Sequence, residues 1–334
     1  MRTTHTAVAA ALIVVVAIAG STPAHATGTG TDELEAALEL VELTEQVAAE
    51  HTQDGALDAN DQRESELTVD VDENTAELEL FDATVTVALP VEVVAHVGEL
   101  PTGDSVIVTE DDAAFAALEK EDGSVQVVYS ISGSDSPTRF PFEIATDADG
   151  QWHTMDNGSV LLLDGEGSII VGAAAPWAVD AAGVSVPTRF ELADGVLTQV
   201  VDHRTQDVSY PIVADPYLGR DLFSSVTRDT YNGDLRINAT KSIWGQSQHL
   251  PTPAGWQIFF TAGWNEVKAR QPRVTEKLTL LQQYECHVAG GYFNSAGPWN
   301  LEKFRPDRTA LAGWGWLVAF HRCNWATASG GERS

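Results

Sequence analysis

From Glu66 onward apolar and polar residues alternate with a period of two. Leu67, Val69 and Val71 share one parity, followed by Leu78 and Leu80, then Ala83, Val85, Val87 and Leu89. Such alternation predicts strands buried on one face. The parity slips at Phe81-Asp82, which predicts a β-bulge there. Further short strands are expected at 105–109, 125–131, 138–144, 159–163, 168–172, 186–192 and 196–202. Asp122-Gly123, Asp149-Gly150, Asn157-Gly158, Asp164-Gly165 and Asp194-Gly195 punctuate them as turns. The apolar stretch Ala113 to Leu118 reads as a short helix. An antiparallel β-rich domain over 66–216 follows from this spacing. Within it Pro-Thr-Arg-Phe occurs twice, at 137–140 and 187–190, each copy opening a strand.

A helical period governs two other regions. Asp32 and Glu35 form a capping box ahead of Leu34, Leu38, Val41 and Ala48, which predicts an amphipathic helix over about 32–50. His51 to Ser65 is a polar, acidic linker, so 27–65 reads as helix plus linker. Beyond residue 217 Thr252 and Pro253 open a helix that places Trp256, Phe259, Phe260, Trp264 and Val267 on one face, and Arg270 and Pro272 end it. A second helix is expected from Val274 to Val288, closed by Gly290-Gly291. The aromatic run Gly313 to Phe320 reads as a buried strand. The fold class is therefore mixed: an acidic antiparallel β-rich domain followed by a small α+β domain over 217–334.

The first 26 residues change the setting. A mildly positive head, an apolar run from Ala7 to Gly20 and Ala24-His25-Ala26 match a secretory signal peptide, so the mature chain is expected outside the cell. No later segment reaches 18 apolar residues, and no integral membrane segment is expected in the mature chain. Charge divides the chain again. Residues 1–215 hold 6 Lys/Arg and 40 Asp/Glu, a net −34, whereas residues 216–334 hold 13 and 9, a net +4. A surface that negative repels nucleic acid. Seven of nine tryptophans also fall in the second part, which marks it as a body with a separate job.

Both cysteines, Cys286 and Cys323, sit in that second part, with His287 and His321 nearby. Export to an oxidising compartment favours a disulfide over a metal site or a catalytic thiol. Neighbours such as Cys286 and His287 on one helix diverge by about 100° and do not easily face one ion. The catalytic reading takes His287 as a general base oriented by Glu302 or Asp307, suited to hydrolysis by an activated water. Its alternative is a histidine packed beside the bridge. The binding reading takes Trp299, Phe304 and Arg305 as aromatic and cationic contacts for a sugar or anionic ligand such as a cell-wall polymer. Its alternative is a buried aromatic knot with Glu302 paired to Arg305.

Other motifs are weak. Gly245-Gln-Ser-Gln-His249 falls one glycine short of the serine-hydrolase elbow, and Asp147-Ala-Asp149-Gly150 lacks calcium-loop spacing. No cofactor or metal motif is present, and none is expected.

Two resemblances add to this reading. Ala175-Pro-Trp-Ala-Val-Asp180, Val186-Pro-Thr-Arg-Phe190 and Tyr210-Pro-Ile-Val-Ala-Asp-Pro216 lie in a stretch, 136–216, similar to a segment common in secreted proteins of GC-rich Gram-positive bacteria. That resemblance implies a presentation region with function downstream. Cys286-His287, Trp299-Asn300-Leu301-Glu302, Arg305-Pro306-Asp307 and Cys323-Asn324 carry a resemblance to the bacterial family catalogued as domain of unknown function 2599, over about 237–325. Phe304 and Trp325 depart from it, where tryptophan and proline would be expected. The second resemblance implies a boundary and no reaction. Three functions stay open: a secreted binding or effector module, a small hydrolase centred on His287, and a precursor cut near Pro216.

Overall fold

A computed structural model of the chain describes residues 65–81, 83–92, 94–99, 105–109, 113–120, 122–205, 207–290, 297–309 and 323–328. The expected signal peptide, the expected helix at 32–50, the aromatic run 313–320 and His321 lie outside the described residues. In chain order the first strands are β1 (Ser65–Asp70), β2 (Thr75–Leu80), β3 (Val85–Ala88), β4 (Val94–Glu99), β5 (Ser105–Thr109), β6 (Ala114–Glu119), β7 (Val125–Ile131) and β8 (Arg139–Thr146). They are followed by β9 (Gln151–Thr154), β10 (Val160–Leu163), β11 (Ile169–Ala173), β12 (Ala178–Asp180), β13 (Thr188–Ala193), β14 (Val196–Val201), β15 (Ile212–Ala214) and β16 (Tyr217–Gly219). All pair antiparallel. One sheet runs β1-β2-β3-β8-β14-β13. The other runs β4-β5-β6-β7-β16-β11-β10-β9, with β15 joining β12 to β7.

The period-two residues meet between these sheets. Leu78, Leu80, Val85, Val87, Phe140, Phe142 and Leu197 from the first pack with Val127, Tyr129, Val160 and Val171 from the second. Two local expectations are corrected. Ala113–Leu118 is no helix: from Ala114 on it lies in β6, paired with β5 and β7. Its alternate residues enter two different cores, Phe115 one and Ala114 and Ala116 another. Burial on both faces erases the alternation that marks a strand. The slip at Phe81 is no bulge but a hairpin turn, with Phe81 and Ala83 at φ 54° and 60° and Leu80 opposite Val85.

The repeated Pro-Thr-Arg-Phe gains a shared geometry. β8 and β13 flank β14, so Arg139 and Arg189 both lie opposite Val200, and Phe140 and Phe190 both lie opposite Gln199. Both guanidiniums reach Glu191, at 2.7 and 2.8 Å.

Downstream the chain forms β17 (Phe223–Tyr231), β18 (Asp234–Lys241), α1 (Ile243–Gln248), α2 (Pro253–Ile258), a π-helical turn (Phe259–Gly263), α3 (Trp264–Arg270), a 3-10 turn (Pro272–Thr275), α4 (Leu278–Gly290) and β19 (Trp299–Glu302). β17, β18 and β19 make a three-stranded antiparallel sheet whose inner face packs on the helices, so this unit is α+β. The β17–β18 hairpin turns on Asn232-Gly233, both at positive φ. Sequence reasoning passed over it because the second half of β17 is exposed and carries no apolar alternation.

Thr252 caps α2 as expected, through Gly255 N. The expected single aromatic face is not kept, since Phe259 is buried while Phe260 points outward. Consecutive helical residues diverge by about 100° and cannot share a face. The later helix opens at Leu278 rather than Val274, because the residues after Pro272 make a 3-10 turn first.

The α+β unit seats on the larger sheet through Trp244. Its ring lies against Gly172 in β11 and Gly219 in β16, and a Cβ at either glycine would collide with it. Trp244 N donates to Asp122 Oδ2 at 2.9 Å. Asn265 Nδ2 adds a bond to Glu166 O at 2.7 Å. Leu161 of β10 belongs to the α+β core, so that core is continuous with the sheet. Trp244→Ala is expected to lower stability by about 3–5 kcal/mol, the range for a buried aromatic truncation. Gly219→Ala should lower it by about 1–3 kcal/mol through overpacking. Urea denaturation of each variant checks both; unchanged midpoints would show that the contact is dispensable.

Candidate functional site

Cys286, buried in α4, is bridged to Cys323 with their Cα atoms 5.5 Å apart. Trp325 packs on the bridge and ties its segment to the rest. Its indole Nε1 donates to Pro306 O at 2.8 Å, and its carbonyl accepts from Arg305 Nη1 at 3.1 Å. The Arg308 guanidinium lies 5.0 Å from the Trp325 ring centroid.

Two adjacent glutamines on α4 read the backbone beside this segment. Gln283 Nε2 donates to Glu302 O at 3.0 Å while its Oε1 accepts from Glu302 N at 2.8 Å. Gln282 does the same with Arg308, at 3.0 and 2.7 Å. Each amide thus offers the donor–acceptor pair that a neighbouring strand would offer. Sequence reasoning missed both, since glutamine in a helix ordinarily signals a solvated face.

The catalytic candidates are drawn apart. His287 stacks on Trp299, centroids 5.4 Å apart and planes at 9°. Trp299 and Leu301 face the helices, so Glu302 projects from the opposite face of β19. There its carboxylate binds Arg305 Nε at 2.6 Å, a pair with both side chains 5% exposed. Asp307 is exposed and caps α4, its Oδ1 accepting from Thr279 N at 2.8 Å. Thr279 precedes His287 by eight residues, about 12 Å along the helix axis. The arrangement of His287 with Glu302 or Asp307 is therefore not assembled: both carboxylates serve other partners in other places.

The binding candidates divide too. Trp299 and Arg305 are buried, which gives the aromatic knot and the Glu302–Arg305 pair. Phe304 alone stays partly exposed. It meets Tyr231, 41% exposed, with centroids 5.9 Å apart. Arg236 lies over the Tyr231 ring at 4.6 Å and is held by both oxygens of Asp229. Tyr231 and Arg236 join Phe304 only because the β17–β18 hairpin forms, and the sequence reading did not include that hairpin.

Several strongly perturbed ionisable groups were also not foreseen. Lys241 continues the buried parity of Leu235, Ile237 and Ala239 along β18. Its Nζ lies 3.0 Å from His249 Nδ1 and 5.7 Å from the Trp299 centroid. His249 Nε2 lies 2.9 Å from Val288 O, which can only accept. The ring proton is therefore on Nε2, and Nδ1 accepts from Lys241. Burial pulls the Lys241 pKa down to about 7. Both side chains are enclosed, so this is a pinned pair rather than an open nucleophile. Burial likewise raises Asp215 to about 7, despite bonds from Gln126 and the Trp177 N–H. Glu266, which accepts from Leu222 N and Phe223 N, is raised to about 7, its desolvation outweighing Arg270. Among the described residues no group of His, Cys, Asp and Glu is placed to hold a metal. The short-elbow serine, Ser247, lies on α1 and donates to Trp244 O at 2.7 Å.

Two outcomes are expected. Cys323→Ser, or reduction, should lower stability by about 4 kcal/mol, the loop-closure value for a loop of roughly 38 residues. Thermal melts with and without reductant measure it; equal melts would refute it. Stability should also depend on pH with a known sign. Asp215 and Glu266 hold protons in the fold that the unfolded chain has released, so stability is lost as pH rises from their ordinary 3.8 and 4.5 towards 7. Lys241 acts oppositely: the unfolded chain binds the extra proton between 7 and 10.5, so stability rises through that window. Melting temperatures across this range should dip near neutrality, with a shallower acid-side slope in Glu266→Gln; an unaltered slope in that variant would contradict the assignment.

Comparison with known proteins returned no family model, no curated protein and no solved structure that matches this chain.

Proposed function

We propose that the chain is an exported protein whose C-terminal α+β unit is an extracellular binding or effector module, presented by the acidic β-rich region. The resemblances over 136–216 and 237–325 belong to this proposal, as does the leader. One observation carries it. Phe304, Tyr231 and Arg236 form an aromatic–cation ledge on the exterior, while the carboxylates needed for hydrolysis are committed to Arg305 and to the end of α4. An exposed ring beside fixed polar groups suits a sugar ring of a wall polymer or carbohydrate. Arg236 is neutralised by Asp229, and Lys303 by Glu276 at 2.7 Å, so the ledge favours an uncharged glycan over a polyanion.

A precursor released near Pro216 is less favoured. β16 lies downstream of that position and is hydrogen-bonded between β7 and β11, so a cut there leaves both parts attached.

The test is sedimentation of the mature chain with insoluble cell-wall material, and an array of soluble glycans. Binding is expected, and Tyr231→Ala with Phe304→Ala should weaken it by more than about fivefold, the scale of a truncated interface anchor. No affinity for wall polymers or glycans, or equal affinity in the double variant, would count against the reading. Hydrolysis lost in His287→Ala, with folding intact, would restore the enzymatic alternative.

A further inference from the structure

The short strand β3 leaves a gap in the first sheet. It ends at Ala88, and Pro90 follows, without an N–H to continue the ladder. β8 runs on: Glu143 to Thr146 pair with β3, but Arg139 to Phe142 are matched, among the described residues, by β14 alone. The space beyond Ala88 is a cleft of about 340 Å³ lined by both sheets. That volume falls in the lower range of small-molecule sites.

Its chemistry is of two kinds. Leu89, Ala113, Phe115 and Phe140, all buried, form an apolar floor, with Pro137 and Pro141 beside them. Glu77, Glu92 and Glu143 stand on the exposed rim. Glu77 and Glu143 both lie opposite Ala88 and so flank it on one face, about 10 Å apart across two strand spacings. Arg139, the one cation in the lining, is held by Glu191 at 2.7 Å. No ion pair engages the three rim carboxylates among the described residues.

We propose that this cleft binds a small organic cation, a protonated amine on an apolar chain, with the chain on the Leu89–Phe115–Phe140 floor and the charge between Glu77 and Glu143. An anion meets three negative groups here, and an uncharged apolar ligand gains only the floor. The amine alone uses both.

Isothermal titration of the full chain with n-hexylamine, and with n-hexanol as the uncharged counterpart, tests this. One saturable site is expected for the amine, with the alcohol weaker by roughly tenfold, the value of two screened ion pairs. Glu77→Gln with Glu143→Gln should bring the amine down to the alcohol and leave the alcohol unchanged. Both residues are exposed, so the fold tolerates the change. Ala88→Phe, which covers the mouth of the cleft between Glu77 and Glu143, should abolish both. Equal affinity for amine and alcohol overturns the proposal, as does no binding. So does weak multi-site uptake identical in the glutamine variant, which is condensation on an acidic surface.

Discussion

The architecture turns on a slot that admits one indole. Gly172 and Gly219 lie on the neighbouring strands β11 and β16, and only the absence of their side chains lets Trp244 lie there. Because α1 is short, fixing Trp244 fixes where β18 ends and where α2 begins. Glu266 strengthens the same junction from α3, holding two backbone N–H groups where the chain leaves the sheet. A carboxylate so enclosed is disfavoured as an anion, so this junction is coupled to pH.

The far end of the α+β unit is held by different means. The disulfide fixes Cys323 to α4, and Gln282, Gln283, Arg305 and Trp325 supply hydrogen bonds around it. Removing one partner from the buried Glu302–Arg305 pair would leave a charge without compensation, which costs more than the pair contributes. Of the residues that looked most chemical in sequence, Glu302 is paired with Arg305, His287 stacks on Trp299 and Asp307 caps α4. The two surfaces proposed for recognition are the outer rim of the unit and, in the β-rich region, the cleft beyond β3.

The strands with clean alternation, β2, β3 and β8, were legible because each has one buried and one wetter face. β6 was not, since its alanine-rich run lacks the β-branched and aromatic residues that made β7 legible despite burial along its whole length, and β17 was not, since half of it is bare. The disulfide between Cys286 and Cys323 was expected from the sequence and is present. Among the site residues Phe304 kept an exterior position, whereas His287, Glu302 and Asp307 were scattered by the geometry of α4 and β19. Nearness in sequence places residues on one segment, but the parity of a strand and the rise of a helix decide whether they meet.

Sequence by itself determined which segments alternate, where turns fall, that the chain carries two cysteines able to pair, and how unevenly charge is spread. These are local or compositional properties, set by backbone periodicity and side-chain chemistry. Only the tertiary structure decided that Trp244 fills a glycine slot, that Lys241 is buried against His249, that Tyr231 meets Phe304, and that β3 stops short and leaves a cleft. Each depends on segments far apart along the chain being packed to contact distance, and no local pattern encodes which distant surface will be there.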